Sequence, residues 1–221
     1  YFVPIVLGLG FTATLGILDD IFKLSPFFRF IFEIIFFFLF SYYLLPDFQI
    51  LGFGFYAEKI IGTILLTLYF VFLINLANFM DGIDLYLSLT FIITICNFVL
   101  LKKTFAFQNE YAYLFIAVSL CGFLLFNYPP AKLFMGDSGS LPLGFLIAML
   151  PFFLRETKNT EMSDIFFLIP VFITDGVITI LKRVVAKKNI FSAHREHLFQ
   201  RISNSFFTKK DCFPRNSGSS K

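Results

Sequence analysis

From residue 60 to residue 84 the chain reads IIGTILLTLYFVFLINLANFMDGID. Residues 60–74 carry no charge and no carboxamide; Asn75, Asn78, Asp81 and Asp84 then crowd into the next ten positions. A helix needs about 20 mainly apolar residues to cross a bilayer, so this stretch is long enough to span and then stops in acid. The apolar run is continuous, whereas a membrane β-barrel strand alternates over about ten residues. A backbone without water must satisfy itself as a helix or a closed barrel, and the run selects the helix.

The same grammar repeats on both sides. Apolar runs suited to spanning lie roughly at 1–18, 27–45, 60–78, 85–101, 111–127, 140–154 and 164–181. The sequence therefore predicts an all-α, polytopic transmembrane helix bundle of about seven spans. Composition agrees: 57% of the 221 residues are hydrophobic, 36 are Phe, none is Trp and the mean hydropathy is +0.80. Soluble domains average about 45–50% apolar. Residues 1–205 read as one transmembrane catalytic domain, and 206–221 as a polar tail expected to be disordered or truncated. The chain opens on Tyr1 within an apolar run, so preceding spans are expected to be missing. Cys96, Cys121 and Cys212 are scattered without a Cys-x-x-Cys, which argues against a disulfide framework or a thiolate zinc site. The phenylalanines read as lipid-facing and packing residues, and Pro129-Pro130 stops the fifth run.

Orientation follows by alternation. With the Asp19-Asp20 end placed in the cytoplasm, 13 of the 18 Lys and Arg fall inside and 5 outside, Arg29 being counted at the inner end of its span. The positive-inside bias supports this choice. Every acidic motif then lands on the cytoplasmic face: Asp19-Asp20, Asp81 with Asp84, and Asp137. Carboxylates near a bilayer are costly and mark functional sites. Gathered on one face, these would form an acidic pocket suited to Mg²⁺ and a phosphorylated substrate.

Each motif admits a chemical reading beside a plainer one. Asp19-Asp20, with Lys23 and Arg29 following, is either a solvated helix end or a phosphate-handling surface. Asn75, Asn78 and Asp81 at i, i+3, i+6 share a helical stripe of hard oxygen ligands, which suit Mg²⁺ rather than zinc. A polar helix cap explains one of these acids but not the set. Gly136-Asp-Ser-Gly-Ser140 opens a span: its backbone N–H groups can hold phosphate, or Asp137 or Ser138 can be an N-cap. His194-Arg-Glu-His197 is either surface or, with Arg195 and Arg201, a grip on a diphosphate.

Taken together, four blocks resemble the polyprenyl-phosphate N-acetylhexosamine-1-phosphate transferases. They are Leu18-Asp-Asp-Ile-Phe-Lys23, Asn75-Leu-Ala-Asn-Phe-Met-Asp-Gly-Ile-Asp84, Asn127 with Phe134-Met-Gly-Asp-Ser-Gly-Ser140, and Ser192-Ala-His-Arg-Glu-His-Leu-Phe-Gln-Arg201. They occur in the family's order and cover most of the chain. That family includes the phospho-N-acetylmuramoyl-pentapeptide transferase of peptidoglycan synthesis and initiators of O-antigen. The resemblance implies a Mg-dependent phosphoglycosyl transferase. Undecaprenyl phosphate would attack a UDP-N-acetylhexosamine, leaving UMP and a lipid diphosphate sugar, in cell-wall or O-antigen (lipopolysaccharide) initiation. It implies Asp137 and Asn78 as Mg²⁺ ligands, with Mn²⁺ as substitute. Asp19 and Asp20 would position or deprotonate the lipid phosphate, with Lys23 beside them. Asp81 belongs to the same nucleotide-side block, and Gly82, Asp84, Asn127 and Phe134 match positions expected to hold uracil. His194, Arg195 and His197 match a loop expected to contact diphosphate and sugar. The implied setting is the bacterial cytoplasmic membrane, multi-pass, with the active site facing the cytoplasm. The implied partners are the UDP-sugar, undecaprenyl phosphate and membrane lipid, with a homodimer as an option and no nucleic acid.

Within that frame, i, i+3 spacing pairs Asp20 with Lys23 and leaves Asp19 as the proton acceptor. Leu85 stands where the family commonly has a second glycine after Asp84, and Glu33 where Gln is common. The family also has further spans before the Asp-Asp block. His-Arg-Glu-His looks closer to the O-antigen or GlcNAc-type initiators than to a triple-His loop. A cation-coupled transporter is the alternative class, although acids at one face rather than the midplane fit it poorly. Asp81-Gly82-Ile-Asp84 lacks the Asp-Gly-x-x-Ala-Arg of CDP-alcohol phosphotransferases.

Overall fold

The computed structural model describes residues 2–44, 59–82, 84–101, 108–155 and 185. Among them all regular structure is helical: α1 (Phe2–Phe22), α2 (Pro26–Leu44), α3 (Lys59–Met80), α4 (Tyr86–Leu101), α5 (Gln108–Asn127) and α6 (Asp137–Arg155). The first six predicted runs are therefore helices, with ends displaced by a few residues. The seventh, 164–181, lies outside the described residues. Among the described residues three helices are long and apolar enough to cross a membrane: Val3–Phe22, Pro26–Tyr43 and Ile60–Met80. Tyr86–Phe98, Leu114–Asn127 and Asp137–Phe152 are shorter apolar helices.

Two end shifts matter for function. α1 runs on to Phe22, so Asp19 and Asp20 sit in its last turn rather than beyond it. It stops at Lys23, whose left-handed φ of 50° and N–H bond to Asp19 O (2.7 Å) close the helix. α6 begins at Asp137 rather than 140, because Gly136 (φ 67°) turns the chain and its carbonyl accepts from Gly139 and Ser140.

The helices sort into two compact units, 1–79 with 135–168 and 80–134 with 169–221. In the first, α6 packs mainly along α1, and α1 also meets α2. Lipid tails are as apolar as the side chains, so close packing rather than water exclusion holds such helices together. Small residues allow it: Gly144 lies against Ile74 and Ala77 of α3, and Gly16 against the Asp137 backbone. Phe37, Phe70, Phe145 and Phe152 fill the centre, with Phe37 stacked on Phe70 (5.2 Å, 8°) and Phe70 on Phe152 (5.7 Å, 14°). Tyr69 donates to Ala148 O (3.0 Å), tying α3 to α6 in the stretch that Pro151 interrupts. The surface is inverted relative to a soluble protein. Phe22, Phe27, Phe28 and Phe32 are exposed, whereas Thr12, Glu33 and Ser140 are buried. An apolar exterior over a polar interior suits a bilayer, and this is a membrane protein.

The second unit pairs α4 with α5. Asn127, buried at the end of α5, accepts the Leu85 N–H (2.6 Å) and donates to Leu133 O (2.8 Å). It thereby fastens the turn before α4 to the loop after α5, which contains the cis Pro129-Pro130 bond.

Candidate active site

In the first unit four helix segments bring their polar residues together. α1 contributes Asp19 and Asp20, α2 Arg29 and Glu33, α3 Asn75 and Asn78, and α6 Asp137, Ser138 and Ser140. Neighbouring helical residues point about 100° apart, so Asp19 and Asp20 face different partners. Asp19 Oδ2 lies 3.5 Å from Arg29 Nη1, and the same nitrogen donates to Asp137 Oδ2. Asp20 turns to α6 instead: Oδ1 accepts from Asp137 N (3.0 Å) and Oδ2 from Ser138 N (2.9 Å).

Arg29 is the centre of the cluster. Its Nη2 is 3.5 Å from Asn75 Oδ1, and its Nε is 3.9 Å from Glu33 Oε1, one helical turn along α2. Glu33 is fully buried and accepts from Asn75 Nδ2, which also donates to Val71 O (2.9 Å). One guanidinium thus serves three carboxylates, Asp19, Glu33 and Asp137. With the carboxylates ionised, the cluster carries an excess of two negative charges. Arg29 Nε, Asp19 Oδ1 and Glu33 Oε1 are buried and lack a hydrogen-bond partner.

That excess bears on metal binding. No group of three or more His, Cys, Asp and Glu residues forms a metal site among the described residues. The donors present are Asp137, the orphaned Asp19 Oδ1 and the Asn78 carboxamide, whose Nδ2 donates to Ser140 Oγ (3.0 Å). The candidate donors are all oxygens, the kind a hard divalent cation such as Mg²⁺ prefers, and Arg29 lies beside two of them, Asp19 Oδ2 and Asp137 Oδ2.

The spacing-based pairing of Asp20 with Lys23 requires correction. Lys23 is exposed at the left-handed end of α1, and both Asp20 oxygens are on α6 amides. The expectation that free amides of Gly136–Ser140 would receive phosphate changes for the same reason. The Asp137 and Ser138 N–H groups already hold a carboxylate. The stripe of Asn75, Asn78 and Asp81 is shortened, because α3 ends at Met80 and Asp81 lies in the following turn.

In the second unit Asp81, Gly82, Asp84 and Leu85 form that turn, with Gly82 exposed. Asp84 Oδ2 accepts from Ala131 N (3.3 Å). Burial raises the Asp84 carboxyl above its ordinary range, against the pull of this hydrogen bond. Leu85 adopts φ 69°, a conformation that favours glycine. Phe134 is 54% exposed. Asn127 has both ends of its carboxamide on backbone partners. His194, Arg195 and His197 lie outside the described residues.

Arg29 was expected beside Asp19-Asp20 and is found there, whereas Glu33, noted only as standing where Gln is common, had no assigned role. The signal was present as a charged i, i+4 pair inside an otherwise apolar helix.

Comparison with known proteins supplies the family. The profile described as glycosyl transferase family 4 matches residues 2–154. The chain is 30% identical over 211 residues to a probable undecaprenyl-phosphate N-acetylglucosaminyl 1-phosphate transferase of Bacillus subtilis, covering 90% of this chain and 57% of that protein. It is 35% identical over 109 residues to the phospho-N-acetylmuramoyl-pentapeptide-transferase of Fervidobacterium nodosum, covering 49% and 33%. With the Streptococcus mutans protein of the same name it shares 37% over 86 residues, covering 37% and 24%. The chain thus spans no more than 57% of the length of these relatives. The match over most of the chain, on the helices that build the acidic cluster, means that the chain belongs to glycosyl transferase family 4.

Proposed function

We propose that this chain carries the catalytic centre of a phosphoglycosyl transferase. It would move N-acetylhexosamine 1-phosphate from a UDP-sugar to undecaprenyl phosphate, giving a lipid diphosphate sugar and UMP at the cytoplasmic face of a bacterial membrane. The observation that carries this reading is the negative cluster of Asp19, Arg29 and Asp137 at the ends of apolar helices. Two anionic reactants can meet only where fixed charge and a cation offset them. Mg²⁺, when bound, would supply that offset and stabilise the departing nucleotide phosphate. Asp137 and Asn78 would hold it.

The chain's own residues do the rest. Asp19, whose Oδ1 is buried without a hydrogen-bond partner, would accept a proton from the lipid phosphate. Arg29 holds Asp19 and Asp137 in register. Phe134 would offer the stacking face for uracil, and Gly82 and Asp84 would hold its edge, Asp84 being tied through the Ala131 N–H to the loop that leads to Phe134. Asn127 shapes that loop through its two backbone bonds. His194, Arg195 and His197 would grip diphosphate and sugar, and Lys23 would attract the lipid phosphate. A polysaccharide-initiating step, in cell-wall or O-antigen synthesis, follows from this product. The transporter alternative finds no favouring observation, since Asp19, Asp20 and Asp137 sit at helix ends.

The test is direct. Membranes containing the protein are incubated with undecaprenyl phosphate, Mg²⁺ and labelled UDP-GlcNAc or UDP-GalNAc. Label should enter the lipid fraction with release of UMP, and Asp137→Asn should abolish transfer. Absence of lipid-linked label with every UDP-sugar, or full activity of the variant, refutes the proposal.

A further inference from the structure

Adjacent acids in a motif invite a shared role, but here they are built into different jobs. Asp20 lies in the last turn of α1, yet it serves α6, 117 residues further along the chain. Its two oxygens take the first two backbone N–H groups of that helix, Asp137 at 3.0 Å and Ser138 at 2.9 Å. Those amides belong to the set that a helix cannot satisfy internally, and they carry the positive end of its dipole. Local capping is withheld, since the residue before Asp137 is Gly136, which has no side chain. Gly136 is needed there twice over: its φ is 67°, and an added Cβ would stand 2.9 Å from Asp20 Oδ2. Gly16, one turn before Asp20 on α1, is pressed on the Asp137 carbonyl, where a Cβ would come within 2.3 Å. Two glycines therefore clear the space in which one carboxylate reaches across.

We infer that Asp20 is a positioning residue, which caps α6 from α1 and so holds the Asp137 side chain against Arg29 and Asp19. The geometry makes the division of labour specific. The residue whose backbone Asp20 grips is the one whose side chain meets Arg29. Both Asp20 oxygens accept backbone N–H groups, whereas Asp19 keeps one buried oxygen without a partner. The inference rests on the proposed transfer reaction only for its catalytic consequence; the cap itself is measurable without it.

The experiment uses the purified protein in lipid nanodiscs, free of metal, and follows amide hydrogen exchange at 137 and 138 by fragmentation mass spectrometry. A hydrogen bond to a charged acceptor protects strongly, so Asp20→Ala should speed exchange at both amides by about 10–100-fold. Asn has a single acceptor oxygen and an NH2 group that cannot accept, so Asp20→Asn should keep one of the two amides within about tenfold of the parent and release the other. Asp19→Asn should leave both amides as protected as in the parent. In the transfer assay Asp20→Asn should retain a measurable kcat with an unchanged KM for the UDP-sugar, and Asp20→Ala should lose activity with its cap. The inference is overturned if Asp20→Ala leaves the two amides protected. It is equally overturned if Asp20→Asn keeps one amide protected and is as inactive as Asp19→Asn, for Asp20 would then act on the substrate. If Asp20→Ala does not fold, the Asp20→Asn comparison decides alone. If the parent shows no transfer, the exchange results still decide the cap.

Discussion

Replacing Gly16 by Ala tests the link from helix packing to the acidic cluster. A Cβ at Gly16 would lie 2.3 Å from the Asp137 carbonyl oxygen, 2.5 Å from its carbon and 2.7 Å from Ser138 Cα. All three are backbone atoms, so no side chain can swing away. Ordinary contact begins at 3.4 Å, so the two helices must part by about 1.1 Å at this point. That displacement carries the Asp137 and Ser138 amides, now 3.0 and 2.9 Å from Asp20, beyond hydrogen-bond reach. Overpacking costs about 1–3 kcal/mol. Loss of a hydrogen bond to a charged group adds about 1.5–3 kcal/mol. Ala gains about 1 kcal/mol over Gly in helix propensity. A net loss of about 1.5–5 kcal/mol follows from these terms. Gly10 on the same helix is the control, since nothing lies within 4 Å of its added Cβ. Gly10→Ala should be neutral or stabilising by up to about 1 kcal/mol. Thermal unfolding of the detergent-solubilised protein, with scan rate held constant, measures both. Equal stability of Gly16→Ala and Gly10→Ala would refute the close approach of α1 to α6.

Two further outcomes are expected in the second unit. Leu85→Gly should raise the melting temperature, because glycine relieves a left-handed φ that costs other residues about 1–2 kcal/mol; Leu85→Val should lower it, and the reverse order would remove the strain argument. Asp84 has a folded-state pKa above its unfolded value, so its favourable contribution is complete below the unfolded value of 3.8 and is lost as pH rises through the folded one. Asp84→Asn keeps an acceptor for the Ala131 N–H without the charge. It should therefore be more stable than the parent at neutral pH, with the gap closing towards pH 4, and a gap independent of pH in thermal melts would contradict this.

The helical class was legible in the sequence because a bilayer leaves few options. A long uncharged run such as 60–74 must satisfy its own backbone, and helices with nearly the predicted limits result. The motifs were legible too, since carboxylates beside apolar runs have few plain explanations. Spacing told less about which side chains meet. Lys23 lies three residues after Asp20, but α1 has already ended there, and a left-handed residue no longer continues the i, i+3 face. Asp20 instead finds two amides at positions 137 and 138, a pairing set by Gly16 and Gly136 through the space they leave empty. In the sequence Arg29 read as a base following Asp19-Asp20; only packing against α1, α3 and α6 makes it the shared counter-charge of Asp19, Glu33 and Asp137. The sequence by itself determined which segments are helices and which residues are too costly in a membrane to be idle, because both follow from local chemistry and the solvent. The tertiary structure decided the partner of each acid, because a charge in a low-dielectric interior pairs with whatever donor packing brings nearest, not with its neighbour in the chain.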